Sequence, residues 1–223
     1  MQPAIDPRLA TVRAHLAGTS DVLKLTLEQC APAVVAAADL VAEAFRKGGK
    51  LMICGNGGSA ADCQHLAAEF TSRLTIDFPR PALPALALTT DSSFLTAYAN
   101  DIDFEGVFAR QVEALGKPED VLMGISTSGS SKNVVRAVEA ARALKAKTIV
   151  LTGNRGCLPE MADVAICVPS GITQHIQETH LAIEHLICHF VERALFGQTA
   201  PSGQTAPSGQ NAGSQAEKQQ AAA

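Results

Sequence analysis

Five short apolar segments, each separated from the next by a helix-forming stretch, restrict the folds open to this chain. They cover residues 50–54, 85–89, 120–126, 148–152 and 164–168. Strands that are apolar along their whole length are typical of a parallel sheet with helices on both faces. We therefore predict an α/β fold, a three-layer sandwich around a five-stranded parallel sheet. Such sheets bind ligands at the carboxyl ends of their strands.

The helical periodicity defines the rest of the domain. It predicts a long amphipathic helix over 21–45, with a break near Pro32, after a shorter helix over 7–16. These N-terminal helices either cap the sheet or pack against another subunit. Two further helices are predicted over 132–144 and 172–196. We assign residues 1–197 to a single domain and residues 198–223, which contain two TAPSGQ repeats, to a disordered low-complexity tail.

Composition excludes several classes of partner. The 223 residues carry a formal net charge of −4 and no large Lys/Arg cluster, so nucleic acid is not expected as a ligand. No uninterrupted apolar run has the length of a signal peptide or approaches the roughly 20 residues that span a bilayer. We expect a cytoplasmic protein without a membrane partner.

A glycine-rich turn, GNGGS at residues 55–59, joins the first strand to a helix. Gly57 and Gly58 let the backbone turn sharply beside a ligand, and Ser59 occupies the position expected for the helix N-cap. His65 and Glu69 are four residues apart, so both project from one helical face. An imidazole and a carboxylate would therefore face whatever the turn holds.

A second polar loop, residues 126–131 with the sequence STSGSS, lies between the third strand and a helix. Backbone N–H groups and the helix dipole at such a position favour an anion, and five hydroxyls add donors. The loop thus predicts a phosphate site that lacks the lysine of a Walker loop. The alternative is a hydroxyl-rich helix cap without a ligand.

The last helix carries four of the six histidines, His175, His180, His185 and His189. At about 100° per residue they cannot all face one point. Any one of them is equally well explained as an ordinary helix histidine. Whatever distinguishes one must come from outside this helix.

Four motifs in order, GNGGSAADCQHLAAEF, the TTD and AND turns, ISTSGSSKN and IQETHLAIEH, closely resemble the phosphoheptose (sedoheptulose 7-phosphate) isomerases of the sugar-isomerase (SIS) domain superfamily. The resemblance covers roughly residues 20–197. It implies a flavodoxin-like sheet, a homotetramer with active sites at subunit boundaries, and the first step of ADP-heptose synthesis for the lipopolysaccharide core.

The resemblance also assigns residues. It implies one zinc ion per subunit at His65, Glu69, Gln177 and His185, with Glu69 and His185 catalytic. The positions that match the binding of the sugar phosphate are Asn56, Gly57, Gly58, Ser59, Glu69, Asn100, Asp101, Ser126, Thr127, Ser128, Ser131 and Gln177.

The proposed chemistry is an isomerisation of ketose to aldose through an enediol. Glu69 would move a proton from C1 to C2, and His185 would act as the acid. Bound zinc would polarise the reacting oxygens, although a carboxylate that coordinates a metal is a weaker base. The serine-rich loop would hold the 7-phosphate.

Two alternatives remain open from sequence. A non-catalytic SIS module could sense a sugar phosphate or bind a partner, as the DiaA family binds a replication initiator. That family lacks the equivalents of Glu69 and His185, and this chain has both. The enzyme could also act on a pentose or hexose phosphate.

The spacing of Gln177 and His185 raises a geometric question. Eight residues along one helix separate them by about 12 Å and by about 80° around the axis. Both could not readily hold one ion from one chain. Either the helix begins after Gln177, or a neighbouring subunit supplies one of the two residues, which would suit a site at an interface.

Overall fold

The computed structural model describes residues 6–197, and its five strands form one sheet. All strand pairs are parallel, in the order β2-β1-β3-β4-β5. The strands are β1 (Leu51–Gly55), β2 (Ala85–Ala87), β3 (Val121–Ser126), β4 (Lys147–Thr152) and β5 (Val164–Cys167). The predicted five-stranded flavodoxin-like sheet is confirmed, although β2 and β5 are shorter than the apolar runs that predicted them.

Seven helices connect and flank these strands within the described part of the chain. They are α1 (Arg8–Arg46), α2 (Gly58–Thr71), α3 (Ser92–Asp101), α4 (Val107–Leu115), α5 (Lys132–Ala143), α6 (Leu158–Met161) and α7 (Thr173–Phe196). The four-residue helix α6 was not predicted, because a single turn is too short to show a periodic pattern. The predicted tail, residues 198–223, lies outside the described residues.

The two faces of the sheet are covered by different helices. Ile53, Met123 and Leu151 pack in one core with apolar residues of α1, α2 and α7. Residues one position away on the same strands, such as Met52 and Leu122, pack in a second core with α4 and α5. Successive side chains on a strand point to opposite faces. The three-layer architecture is thereby confirmed.

The N-terminal region is one helix of 39 residues, so the prediction of two helices with a break near Pro32 is wrong. A proline inside a helix costs about 3 kcal/mol. On both sides of Pro32, however, α1 buries side chains that include Cys30, Val34 and Val41. Burial of each valine contributes about 1.5–3 kcal/mol. Packing on the sheet and on α7 therefore outweighs the local preference.

Helix α1 also corrects the expectation that no segment is long and apolar enough to cross a membrane. On length and composition alone it qualifies. In the fold, its apolar face packs against the sheet and α7. Core helices of globular domains meet the same two criteria, so this is weak support for a membrane span.

Replacing the exposed residue Pro32 by alanine should stabilise the protein. The change removes the helix-interior cost of about 3 kcal/mol but returns up to about 1 kcal/mol of conformational freedom to the unfolded chain. We expect the free energy of unfolding, measured by urea denaturation, to rise by about 2 kcal/mol. Pro118→Ala, in the loop before β3, is the matched control and should give no gain. Equal effects of the two substitutions would contradict this explanation of α1.

Candidate functional site

The two polar loops predicted from sequence are neighbours at the carboxyl edge of the sheet. β1 ends at Gly55 and β3 ends at Ser126, and these strands pair directly with Gly55 opposite Ile125. Neighbouring strands lie about 4.8 Å apart. The glycine turn and the serine-rich loop therefore open onto the same side of the molecule.

The glycine turn adopts a shape that side chains would obstruct. Gly57 has a φ of +57°, a conformation that favours glycine. A Cβ on Gly58 would lie 2.5 Å from Nε2 of Gln177, so glycine allows α7 to approach this closely. The N-cap of α2 is Gly57, and the prediction that Ser59 fills this position is wrong. Ser59 is instead a buried residue of the first helical turn.

An amide pair ties the glycine turn to the helix that follows the serine-rich loop. Nδ2 of Asn56 donates to Oδ1 of Asn133 at 2.9 Å, and Nδ2 of Asn133 donates back to Oδ1 of Asn56 at 2.8 Å. Asn133 is buried. Sequence reasoning did not single out Asn133, because the pair joins two segments 77 residues apart. The contact fixes the side chain of Asn56 at the edge of the site.

Helices α2 and α7 bring His65, Glu69 and His185 together. The two Nε2 atoms of the histidines lie 2.9 Å apart, and Oε1 of Glu69 lies 3.7 Å from Nε2 of His65. One ligand atom from each residue lies within 4.8 Å of the other two. The second carboxylate oxygen of Glu69 is buried without a hydrogen-bond partner among residues 6–197. The structure thus brings together three of the four residues that the resemblance implied as zinc ligands, from two motifs that are distant in sequence.

The question posed by Gln177 and His185 has a structural answer. α7 begins at Thr173, so both residues lie on one continuous helix and the first alternative is wrong. His185 reaches His65 within a single chain, so no neighbouring subunit is needed to supply it. Gln177, about two turns earlier, lies against Gly58. The helix thus contacts the turn and the cluster at separate points.

The cluster fits a zinc ion in its chemistry and dimensions. Two nitrogens bound at about 2.05 Å to one tetrahedral zinc lie roughly 3.3 Å apart, close to the 2.9 Å between the two imidazoles. Two imidazoles and a carboxylate are common zinc ligands, and three protein ligands leave a coordination position open. The unpaired oxygen of Glu69 supplies a further reason for a cation here.

The serine-rich loop is held in shape by its own hydroxyls. Oγ of Ser126 lies 2.9 Å from Oγ of Ser131 and 3.3 Å from Oγ of Ser128. Ser131 is the N-cap of α5, but its hydroxyl does not cap the helix. The first N–H groups of α5 therefore lack a side-chain partner from the cap, which leaves them available to an anion.

A cavity of about 370 Å³ lies beside this loop and contains side chains that the sequence did not reveal. Thr127, Ser128 and Ser130 form one wall, and Asn154 and Arg155, which follow β4, form another. Arg155 makes no ion pair with any carboxylate among residues 6–197. Arg155 lines the same cavity as the hydroxyls, with its guanidinium near Gly171, although the two segments are distant in sequence. Sequence alone offers no signal for this, since a lone exposed arginine is common.

Asn100 and Asp101 are the two predicted site residues at the end of α3. They end α3, are exposed, and bond to each other, with Nδ2 of Asn100 donating to Oδ1 of Asp101 at 2.8 Å. Within the described chain, no hydrogen bond joins them to another predicted site residue. Their predicted contact with the sugar phosphate therefore stays a prediction.

The other histidines of α7 have different surroundings. His175 packs edge-on against His15 of α1, and His189 packs against Phe190. His180 is fully buried, and its Nε2 donates to the carbonyl of Thr152 at 3.2 Å. Its Nδ1 has no partner in the described part of the chain. Contact with α2 thus distinguishes His185.

Burial shifts the pKa of three groups near the cluster. It lowers the pKa of His180 to about 4, because the charged ring would lose its hydration. It raises the pKa of Glu184 well above the usual value, and the negative charge of Asp62 adds to the effect. Burial also raises the pKa of Asp62, against the opposing influence of His65. His180 is therefore neutral at pH 7.

Comparison with known proteins gives consistent matches. A family described as "SIS domain" matches residues 15–153. A phosphoheptose isomerase from Roseiflexus sp. is 54% identical over 177 residues, which are 79% of this chain and 89% of that protein. The solved phosphoheptose isomerase GmhA from Neisseria gonorrhoeae has a TM-score of 0.77 at 42% identity, covering 82% of this chain and 97% of that one. A phosphoheptose isomerase from Francisella tularensis has a TM-score of 0.80 at 35% identity, covering 84% and 100%.

The low pKa of His180 predicts a loss of stability in mild acid. The unfolded chain binds a proton near pH 6.5 and the folded chain only near pH 4, so stability falls as the pH drops through this window. Between pH 7 and pH 5 the loss should be about 2 kcal/mol. His180→Gln should remove this part of the pH dependence, as measured by urea denaturation in EDTA. If His180→Gln loses as much stability between pH 7 and pH 5 as the wild-type protein does, the assignment to His180 is contradicted.

Proposed function

The chain belongs to the phosphoheptose isomerases of the SIS domain family, and from this premise we propose that it converts sedoheptulose 7-phosphate to D-glycero-D-manno-heptose 7-phosphate. This would be the first step of ADP-heptose synthesis for the lipopolysaccharide core, carried out in the cytoplasm. The observation that carries the proposal is the convergence of His65, Glu69 and His185 from helices α2 and α7. A module that only binds a sugar phosphate has no need for such a cluster.

Glu69 is proposed as the base that moves a proton between C1 and C2. Its carboxylate is largely buried, with Oε1 at 3.7 Å from Nε2 of His65 and Oε2 without a hydrogen bond among residues 6–197. His185 would transfer a proton between the two substrate oxygens in a state in which its Nε2 is not bound to the ion, because one ring nitrogen cannot hold a metal and a proton together. Holding both groups on rigid helices fixes their approach to adjacent carbons.

Zinc is proposed at His65, Glu69 and His185. Gln177, the further ligand that the resemblance implies, would come from a neighbouring subunit, because this chain's own Gln177 lies against Gly58, about two turns before His185. When bound, the ion would act as a Lewis acid that polarises the reacting oxygens. The separation of the two imidazole nitrogens and the unpaired oxygen of Glu69 support this choice. Because the carboxylate cannot bind the ion and accept a proton with the same lone pair, its two oxygens would have separate roles.

The phosphate is proposed to bind the serine-rich loop, at Ser126, Thr127, Ser128 and Ser131. The uncapped start of α5 provides backbone donors and a favourable dipole. Arg155, which lines the adjoining cavity, is proposed to provide the positive charge that a Walker loop takes from lysine. Phosphate bound there would hold the sugar so that its carbonyl end can reach Glu69 and His185.

A homotetramer with active sites at subunit interfaces is proposed from an exposed apolar groove between α1 and α7. The groove has a volume of about 300 Å³ and an almost entirely apolar lining, which includes Leu23, Leu27, Leu186 and Phe190. These four side chains are 39–71% exposed in the single chain. Apolar patches of this kind mark protein interfaces. Asn100 and Asp101, exposed at the end of α3, would be available to a neighbouring subunit's site.

The direct test is incubation of the zinc-loaded protein with sedoheptulose 7-phosphate and detection of the heptose 7-phosphate product. We expect turnover that is lost on complete removal of metal and restored by zinc. Glu69→Gln should lower kcat about 100-fold or more, because it removes the base with little change of shape. His189→Gln, one turn beyond His185, is the control and should leave kcat within about twofold.

Each result has a defined meaning. Absence of turnover by the metal-loaded protein would favour the non-catalytic SIS module. Turnover that survives complete metal removal would contradict the zinc proposal alone. Near-normal kcat in Glu69→Gln would remove this residue as the base.

Arg155→Gln tests the proposed charge at the phosphate site. A charge-assisted hydrogen bond contributes about 1.5–3 kcal/mol, so KM should rise about tenfold or more while kcat changes little. Arg142→Gln, an exposed arginine in the last turn of α5, serves as the control and should leave KM unchanged. Equal KM values for the two variants would place the phosphate elsewhere.

A further inference from the structure

An arginine with a fully buried side chain contacts the end of the helix that carries Glu69. Arg80, in the connector between α2 and β2, donates from Nη2 to the backbone carbonyl of Glu69 at 2.7 Å and from Nη1 to that of Phe70 at 2.8 Å. Nη1 also reaches the carbonyl of Pro81, and Nε reaches Oε2 of Glu192 at 3.0 Å. The side chains of Arg80 and Glu192 both have 0% exposure.

These contacts cap the C-terminal end of α2. The last carbonyls of a helix have no partner within the helix, and the helix dipole favours a positive charge there. The last turn of α2 contains no basic residue. Arg80 supplies both the donors and the charge from outside the helix. Glu69 lies in this last turn, since α2 ends at Thr71.

The same arginine links α2 to the helix that carries His185. Glu192 follows His185 by seven residues, or about two turns, so the two project from nearly the same face of α7. Cys188, between them on α7, is buried next to Arg80, Glu192 and Glu69. One guanidinium thus contacts the backbone beneath Glu69 and a carboxylate in register with His185.

We propose that Arg80, paired with Glu192, is a positioning residue that holds Glu69 against His185 and thereby sets the affinity of the cluster for zinc. This inference rests on the zinc site of the proposed function. It concerns geometry more than stability, because a buried ion pair adds little net stability over an apolar pair of similar volume. A planar guanidinium can bond several acceptors in fixed directions, which suits it to this position.

The test separates the position of Glu69 from the stability of the fold. Arg80→Met leaves Glu192 buried and unpaired, so it should lower both thermal stability and zinc affinity. The double variant Arg80→Met, Glu192→Leu removes the unpaired charge and should recover much of the stability. It still lacks the donors to the carbonyls of Glu69 and Phe70, so its zinc affinity should stay low.

Asp120→Ala is the matched control for loss of a buried ion pair. Asp120 is buried just before β3 and pairs with Nζ of Lys50 at 2.6 Å. Asp120→Ala should lower the melting temperature without changing the zinc affinity of the cluster.

Zinc dissociation constants are measured on the metal-free proteins by competition with a fluorescent chelator, at a temperature where all variants are folded. We expect the constant to rise about tenfold or more for both Arg80 variants, and to stay within about twofold for Asp120→Ala. Wild-type affinity in both Arg80 variants, or an equal loss in Asp120→Ala, would overturn the positioning role. A wild-type protein that binds no zinc would overturn it as well.

The measurement uses no sugar phosphate. Lack of isomerase turnover would therefore count against the proposed function and leave the result on positioning intact.

Discussion

The contact between α2 and α7 is the interaction on which the site depends. Both helices pack on the same face of the sheet, and their shared core includes Leu66, Phe70 and Ile187. On the outer side of this contact the two imidazoles meet, with Glu69 one turn from His65. The apolar part of the interface fixes the helix axes, so the polar residues need no flexible loop to converge. A cluster built on two helices is more rigid than one built on loops.

Burial determines which polar groups near this contact can take part in chemistry. His180 has its Nε2 bonded to a backbone carbonyl and a pKa of about 4, so it is a neutral structural residue. Cys188 is buried, and its pKa is raised to about 12, so it does not supply a thiolate ligand at neutral pH. His65 and Glu69 remain partly accessible. The protein thus leaves a few of the polar side chains near this contact accessible and buries others of the same chemical type.

The fold was predicted well because its signals are local. Fully buried strands leave continuous apolar runs, and the glycine turn and serine-rich loop occur directly after two of them. The errors arose where tertiary packing overrides local preference. Pro32 lies inside α1 because the helix buries residues on both sides of it, and Ser59 is not a cap because the chain already turns at Gly57.

The site was predicted in part, and the missing residues share one property. His65 and Glu69 could be paired from their spacing, and His185 was joined to them by family resemblance. Sequence reasoning missed Asn133, Arg155 and Arg80. These residues contact segments that are distant in sequence or bond to backbone atoms, and neither kind of contact produces a recognisable sequence pattern. The contact of Arg80 with Glu192 spans 112 residues.

The two parts of the proposed substrate site lie at helix ends of opposite polarity. The N-terminus of α5, with its uncapped N–H groups, faces the loop proposed for the phosphate. The C-terminal turn of α2, which carries Glu69, has its partial negative charge offset by Arg80. Without that arginine the carbonyls would add negative potential beneath the carboxylate of Glu69, the proposed zinc ligand and base. The buried positive charge of Arg80 reduces the unfavourable effect of the α2 dipole on a negative charge at Glu69. The electrostatic environment of the Glu69 carboxylate then depends mainly on the groups that contact it directly.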